Sequence, residues 1–242
     1  MKKRQFIQDN IQPEELMKQI IAGNKDYMDE NKKYYSHLQL GQNPDITLVA
    51  CCDSRVTHDI FGVDTLNEVF TIRNIGNQYK NSEGSIKFSL FHLKTPLLII
   101  MGHTGCGAIN TALNDYRDEE EAIQREIIGL THTLRIGKQQ NINETTGTNV
   151  ILKNSMYAET NVNYQIATIM ADPPIRTIID RGDCTAVGMM FDIHQVYKVS
   201  TAHIHVVNVN GETDPEKIKK HRLFSKVHLQ DINLIVRTLL KN

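Results

Sequence analysis

The stretch DITLVACCDSRV, Asp45–Val56, joins an apolar run to a cluster of reactive side chains. Its first six residues are mostly apolar and β-branched, which is typical of a buried strand. Because side chains alternate along a strand, we expect Cys51, Asp53 and Arg55 to point to one side of it. The adjacent Cys52 then points to the other side. The pattern predicts a thiol, a carboxylate and a guanidinium together at a strand end.

A second predicted strand also ends in polar, reactive residues. In PLLIIMGHTGCGA, Pro96–Ala108, an apolar run leads into His103 and Cys106, and the surrounding glycines permit a tight turn. Two thiolates and an imidazole suit zinc, and three protein ligands with water in the fourth position are typical of catalytic zinc. A structural site needs a fourth ligand, which Cys184 offers only from a distant strand. The spacing alone leaves a catalytic zinc site and a packed or structural site as open alternatives.

Predicted strands alternate with predicted helices along the chain. This alternation predicts an α/β fold with a central, mostly parallel β-sheet flanked by helices, in which sites form at the carboxyl ends of the strands. We expect residues 1–40 to form an N-terminal helical arm and residues 41–242 to form a single catalytic domain. The remaining predicted strands are Glu68–Arg73, Cys184–Phe191 and Ala202–Val209. The predicted helices include Pro13–Asn31, Glu83–Leu93, Val150–Ala171 and Asp231–Lys241. A polar loop is predicted over Asn141–Asn149.

Composition excludes several classes of function. A net charge of −1 over 242 residues gives no basic surface for nucleic acid or an anionic membrane. No apolar run is long enough to span a bilayer, and the basic start, Met1–Arg4, is followed by polar residues rather than the apolar core of a signal peptide. We therefore expect a cytoplasmic protein whose four cysteines stay reduced and serve metal binding or catalysis.

The two quoted stretches resemble the β-class carbonic anhydrases, whose signature is C-x-D-S-R followed by H-x-x-C. The likeness extends over Gln42–Phe191 and includes VFTIRNIGN and GSIKFSLFHLK between the two signatures. The resemblance implies the β-carbonic anhydrase fold and the reversible hydration of CO2 to bicarbonate and a proton by a zinc-bound hydroxide. It also implies that Cys51, His103 and Cys106 bind the Zn2+.

The resemblance assigns further roles around the metal. Arg55 is expected to pair with Asp53 and to hold the Asp53 carboxylate off the metal. The carboxylate then accepts a hydrogen bond from the attacking hydroxide. Gln42 is expected to reach a neighbouring subunit's active site and to bind substrate there. For the aromatic and aliphatic pocket positions, ordinary core packing stays open as an alternative. The substrate pocket is assigned to Phe70, Ile75, Phe88 and Gly102.

The resemblance is to the plant-like members, in which water occupies the fourth zinc position. The bicarbonate-regulated members use a Trp, an Arg and a Tyr; Arg73 matches the Arg, but Leu48 and Phe191 stand at the other two positions. We therefore predict no inhibitory bicarbonate site. A homodimer or a dimer of dimers is implied, with the N-terminal arm wrapped around the neighbour. Two other functions stay open: a hydrolase of the carbon disulfide type on the same scaffold, and a non-catalytic zinc protein.

Overall fold

The computed structural model of the protein describes residues 12–199 and 203–240, and the chain divides into two compact units after Gln42. In the first unit, α1 spans Pro13–His37, where the sequence predicts a helix. Proline is tolerated at the first helical position because its missing N–H has no partner there, and Glu14 and Glu15 complement the helix dipole. No helix in the described parts of the chain is long and apolar enough to cross a bilayer.

The second unit is built on a five-stranded sheet in the order β2-β1-β3-β4-β5. The first four strands are parallel to one another, and β5 runs antiparallel to β4. The predicted α/β fold with a mostly parallel central sheet is therefore confirmed. The strands are β1 Ile46–Cys51, β2 Val69–Asn74, β3 Leu97–His103, β4 Thr185–Phe191 and β5 Ile204–Val209. The predicted start of the last strand, Ala202, lies outside the described residues.

Helices connect and flank these strands. The helix Glu83–Phe88 continues as a π-helical turn over Ser89–Leu93. Short 3-10 turns cover His58–Phe61, Lys80–Ser82 and Arg222–Phe224. The helices of the second unit are α2 Glu83–Phe88, α3 Gly107–Leu113, α4 Glu121–Ile128, α5 Thr131–Gln139, α6 Ile142–Thr146, α7 Val150–Met170, α8 Pro173–Asp180, α9 Pro215–Ile218 and α10 Leu229–Ile235.

The strand order fixes where a site can form. The chain passes from β1 to β2 on one side and then returns to place β3 on the other side of β1. Connections that leave β1 and β3 in opposite directions open a crevice at the carboxyl ends of these two strands. The residues that follow β1 and β3 therefore meet at this crevice.

The sheet is buried on both faces, as apolar parallel strands require. On one face, Val49, Leu98 and Ile100 belong to a large core that includes Val162 and Ile166 of α7. On the other face, a smaller cluster is formed by Leu48, Ala50, Val56, Ile99 and Met101. This double burial explains why the strand sequences are continuous apolar runs rather than alternating ones.

Two predictions about helices need correction, and one further helix was not predicted. The polar stretch predicted as a loop contains α6, because Ile142 and Thr146 are buried there. The helix that was not predicted is α8, in which Pro173 occupies a first-turn position and the Asp172 side chain accepts a hydrogen bond from the N–H of Ile175. The helix predicted over 231–241 ends at Ile235, because the next residue, Val236, forms a parallel bridge with Val206.

Candidate metal centre

Three side chains from separate parts of the sequence converge at the crevice. Cys51 is the last residue of β1, His103 is the last residue of β3, and Cys106 follows three residues later. One ligand atom from each lies within 4.8 Å of the others, and all three residues are buried. Pairing of β1 with β3 brings the first two together, and the turn after β3 returns the chain to them. This is the ligand set predicted from the sequence.

The turn between His103 and Cys106 requires glycine. Gly105 has φ of +66°, in the left-handed region that L side chains rarely adopt. A Cβ added there would also lie 2.3 Å from Cε1 of His194. Thr104 ties this turn to the segment after β4, since its Oγ1 accepts hydrogen bonds from the N–H groups of Ile193 and His194 at 2.9 and 3.2 Å.

The His103 ring is oriented for ligation through Nε2. Its Nδ1 lies 3.2 Å from the carbonyl oxygen of Thr104, and because a carbonyl only accepts, Nδ1 carries the hydrogen. Within the part of the chain that the structure describes, Nε2 has no hydrogen-bond partner although it is buried. A buried, unpartnered nitrogen beside two sulfurs fits a metal ligand whose other nitrogen is fixed by a backbone carbonyl.

The two thiols perturb each other's ionisation. The side chain of Cys106 donates to the Cys51 sulfur and lowers the Cys51 pKa, while the same contact raises the Cys106 pKa. Two thiolates and a neutral imidazole together balance the charge of a divalent zinc ion. Among the described residues no fourth cysteine or histidine joins the group: Cys184 is buried elsewhere and Cys52 is exposed, as the strand alternation predicts. The donor set therefore fits zinc with three protein ligands.

Asp53 lies beside this group and is held by Arg55. The Arg55 guanidinium donates to both carboxylate oxygens, from Nε to Oδ1 at 2.9 Å and from Nη2 to Oδ2 at 2.7 Å. The backbone N–H of Arg55 also donates to Oδ1, at 3.0 Å. The carboxylate oxygen Oδ2 lies 3.8 Å from His103 Nε2. The Arg55 guanidinium holds the pKa of the Asp53 carboxyl well below its usual range, so Asp53 is an anion at neutral pH.

Arg73 supports the same loop from the neighbouring strand. Its Nη2 donates to the backbone carbonyl of Asp53 at 2.7 Å, and its Nε donates to that of Cys51 at 3.2 Å. With Leu48 and His58, Arg73 also lines a cavity of about 200 Å³ on the face of the sheet that carries the smaller apolar cluster. The Arg73 guanidinium is thus engaged by the loop. The absence of an inhibitory bicarbonate site stays a prediction.

The predicted pocket residues have different surroundings. Phe70 lies 6.2 Å from Phe88 between ring centroids, and Phe88 is 45% exposed. Ile75 is half-buried against the main core. Gly102 is buried, and a Cβ there would lie 2.7 Å from a methyl group of Val162. Gln42 is exposed and ends the first unit. Their assignment to substrate binding stays a prediction.

Sequence reasoning missed one residue at this centre. Asn154 of α7 forms two hydrogen bonds to the backbone of Cys106. It lies 48 residues further along the chain, in a helix that mixes apolar residues with several polar ones. No local motif marks it, because its partner is a backbone group that every residue type carries.

Known proteins are similar to this chain over the part that contains the site. A sequence model of the family described as Carbonic anhydrase matches residues 46–197. Carbonic anhydrase 2 of Mycobacterium tuberculosis is 31% identical over 99 residues, which cover 40% of this chain and 48% of that protein. The match thus spans about half the length of that relative. The carbonic anhydrase of Saccharomyces cerevisiae is 26% identical over 165 residues, covering 65% of this chain and 73% of that protein.

Solved structures share the fold. A tetrameric β-carbonic anhydrase from Sordaria macrospora superimposes with a TM-score of 0.66 at 25% identity, covering 74% of this chain and 91% of that one. The β-carbonic anhydrase of Coccomyxa gives the same TM-score of 0.66 at 20% identity, covering 90% and 100%. At the latter identity the likeness shows the fold alone. Both comparisons agree with the sheet and helices described above.

Proposed function

Because the chain belongs to the family of β-class carbonic anhydrases, we propose that it catalyses the reversible hydration of CO2 to bicarbonate and a proton. The observation that carries the proposal is the convergence of Cys51, His103 and Cys106 within 4.8 Å, with an ionised carboxylate beside them. Cys51, His103 and Cys106 would hold zinc, which would supply a Lewis acid that makes water nucleophilic at neutral pH.

Asp53 and Arg55 orient the attacking water. The Asp53 carboxylate accepts a hydrogen bond from the attacking oxygen, and this contact turns an oxygen lone pair toward the carbon of CO2. The two-point grip of Arg55 keeps the carboxylate ionised and prevents it from rotating toward the metal ligands. Arg73 fixes the backbone of the same loop, so the carboxylate has one position relative to His103.

The side chains assigned to the substrate pocket are apolar and suit an uncharged substrate. Phe70, Phe88 and Ile75 offer apolar surface to CO2, which has no charge to bind. Gln42 of a neighbouring copy supplies a hydrogen-bonding amide for bicarbonate. The large exposed fraction of Phe88 fits a pocket wall that a second copy of the chain completes.

We infer that the working form is a homodimer or a dimer of dimers. The relative from Sordaria macrospora is described as tetrameric. Helix α1 presents exposed apolar side chains that suit an interface between copies; these are Met17, Ile20, Ile21, Met28 and Tyr34. In this proposal residues 1–40 form the arm and residues 41–242 form the catalytic domain. The four cysteines are all free, which fits the reducing cytoplasm.

Stopped-flow measurement of CO2 hydration by the zinc-loaded protein tests this function. We expect activity in the wild type, loss of zinc and activity in Cys51→Ala, and retained zinc with reduced activity in Asp53→Asn. An assay of carbon disulfide hydrolysis on the same samples tests the alternative function, a hydrolase of the carbon disulfide type. Zinc-loaded wild type without CO2 hydration would refute the proposal, and activity on carbon disulfide alone would replace it.

A further inference from the structure

Of the three ligand residues, Cys106 is the one that the sheet does not hold. The backbones of Cys51 and His103 are fixed by strand pairing, to Asn74 of β2 and Phe191 of β4. Cys106 lies beyond the Gly105 turn, immediately before the seven-residue helix α3. Its position relative to the other two ligands therefore depends on contacts from outside the sheet.

Asn154 supplies those contacts. Its Oδ1 accepts a hydrogen bond from the Cys106 N–H at 2.7 Å, and its Nδ2 donates to the Cys106 carbonyl at 2.9 Å. The second lone pair of that carbonyl accepts from the N–H of Asn110 at 3.0 Å. Reversing the amide would bring donor against donor and acceptor against acceptor, so the two contacts define a single orientation.

Asn154 is anchored in the core of the second unit. The residue is 5% exposed and lies in the second turn of α7, a helix of 21 residues. This helix packs directly on β3 and β4, with Val162 and Ile166 in the main core. Because Asn154 is anchored in this way, its two hydrogen bonds fix Cys106, the one ligand residue outside the strands, relative to the core.

We propose that Asn154 is a positioning residue for the metal centre: by clamping the Cys106 backbone, it holds the Cys106 sulfur where one ion contacts it together with Cys51 and His103. The inference rests on the zinc site of the proposed function. It assigns a role in metal retention to a residue that contacts neither metal nor substrate.

The test compares two buried asparagines. Asn154→Asp keeps an acceptor for the Cys106 N–H but places a second oxygen against the carbonyl. Asn208→Asp is the matched control, since Asn208 is 1% exposed and bonds to the Asn163 side chain and the Gly211 N–H but to no metal ligand. The readouts are the rate of zinc transfer to a chelator, the absorption spectrum of the cobalt-substituted protein and the melting temperature.

We expect Asn154→Asp to release zinc at least about tenfold faster than wild type, with shifted sulfur-to-cobalt bands. Asn208→Asp should keep the wild-type rate of zinc release and the wild-type cobalt spectrum, even if its melting temperature falls as far as that of Asn154→Asp. If the aspartate variants do not fold, Asn154→Ser and Asn208→Ser make the same comparison. Equal zinc release from the wild type and the Asn154 variant would overturn this inference alone, whereas a wild type that binds no zinc would overturn the proposed site itself.

Discussion

Arg55 grips both carboxylate oxygens of Asp53, two residues before it in the chain. The same fork recurs on the surface, where Arg117 donates from Nε and Nη2 to the carboxylate of Asp115. In both places the arginine N–H also bonds to Oδ1 of the acid. The Asp-x-Arg spacing therefore produces the two-point ion pair by itself. The Asp53–Arg55 pair differs from the surface pair in that Asp53 Oδ2 lies 3.8 Å from Nε2 of the metal-ligand candidate His103.

This recurrence supplies a control for the role of Arg55. We expect Arg55→Ala to lower kcat/KM for CO2 hydration about 100-fold, because the Asp53 carboxylate loses its fixed orientation. Arg117→Ala removes an equivalent but solvent-exposed pair, and we expect it to change kcat/KM by less than about twofold. Zinc content and kcat/KM are measured for both variants. Similar losses of activity in the two would contradict a catalytic role for the Asp53–Arg55 pair.

The turn that carries Cys106 should tolerate no side chain at Gly105. Gly105→Ala adds a left-handed alanine and a contact with the His194 ring, and we expect the variant to lose zinc during dialysis. Gly62 has nearly the same φ, +68°, with nothing near its missing Cβ, so Gly62→Ala should cost only about 1 kcal/mol and keep its zinc. Retention of zinc by Gly105→Ala would show that the turn adapts to a side chain.

Stability at acid pH should depend on His205 of β5. Its ring is fully buried and stacks on Tyr197, and burial lowers its pKa from 6.5 to about 4. Asp192 favours protonation of the ring, whereas Arg237 and His203 oppose it. A histidine with a lowered folded-state pKa contributes its full stability above pH 6.5 and loses it as the pH falls toward 4, at a total cost of about 3 kcal/mol.

Urea unfolding of the wild type and of His205→Phe between pH 8 and pH 4 measures this contribution. The two free energies of unfolding should be similar at pH 8. The wild type should lose about 3 kcal/mol more than the variant by pH 4, because phenylalanine has no proton to bind. Parallel curves over the whole range would show that another group controls acid unfolding.

Glu159 of α7 should anchor the C-terminal segment. Its buried carboxyl accepts hydrogen bonds from the Tyr197 hydroxyl at 2.5 Å, the Leu239 N–H at 2.9 Å and the Thr238 hydroxyl. Glu159→Leu leaves these donors without a partner, and we expect a loss of about 3 kcal/mol in the free energy of unfolding together with faster proteolysis of the C-terminus. Proteolysis at the wild-type rate would indicate that other contacts hold the segment.

The sequence is most informative where local pattern and function coincide. Strands β1 and β3 were predictable from their apolar runs. The ligand set was predictable because these runs end at Cys51 and His103 and because the glycines allow a tight turn between His103 and Cys106. Asn154 was not predictable, since its role is a contact across 48 residues with a backbone group. The end of α10 at Ile235 was also not predictable, because it depends on the pairing of Val236 with Val206.

X-ray absorption at the zinc edge, combined with metal analysis of the purified protein, tests the central claim most directly. We predict one zinc per chain with two sulfur neighbours at about 2.3 Å and a nitrogen neighbour at about 2.0–2.1 Å. Cys52→Ser and Cys184→Ser should leave this spectrum unchanged, whereas Cys51→Ser and Cys106→Ser should each remove one sulfur. A protein without bound metal, or a spectrum with one or four sulfurs in the wild type, would contradict the account.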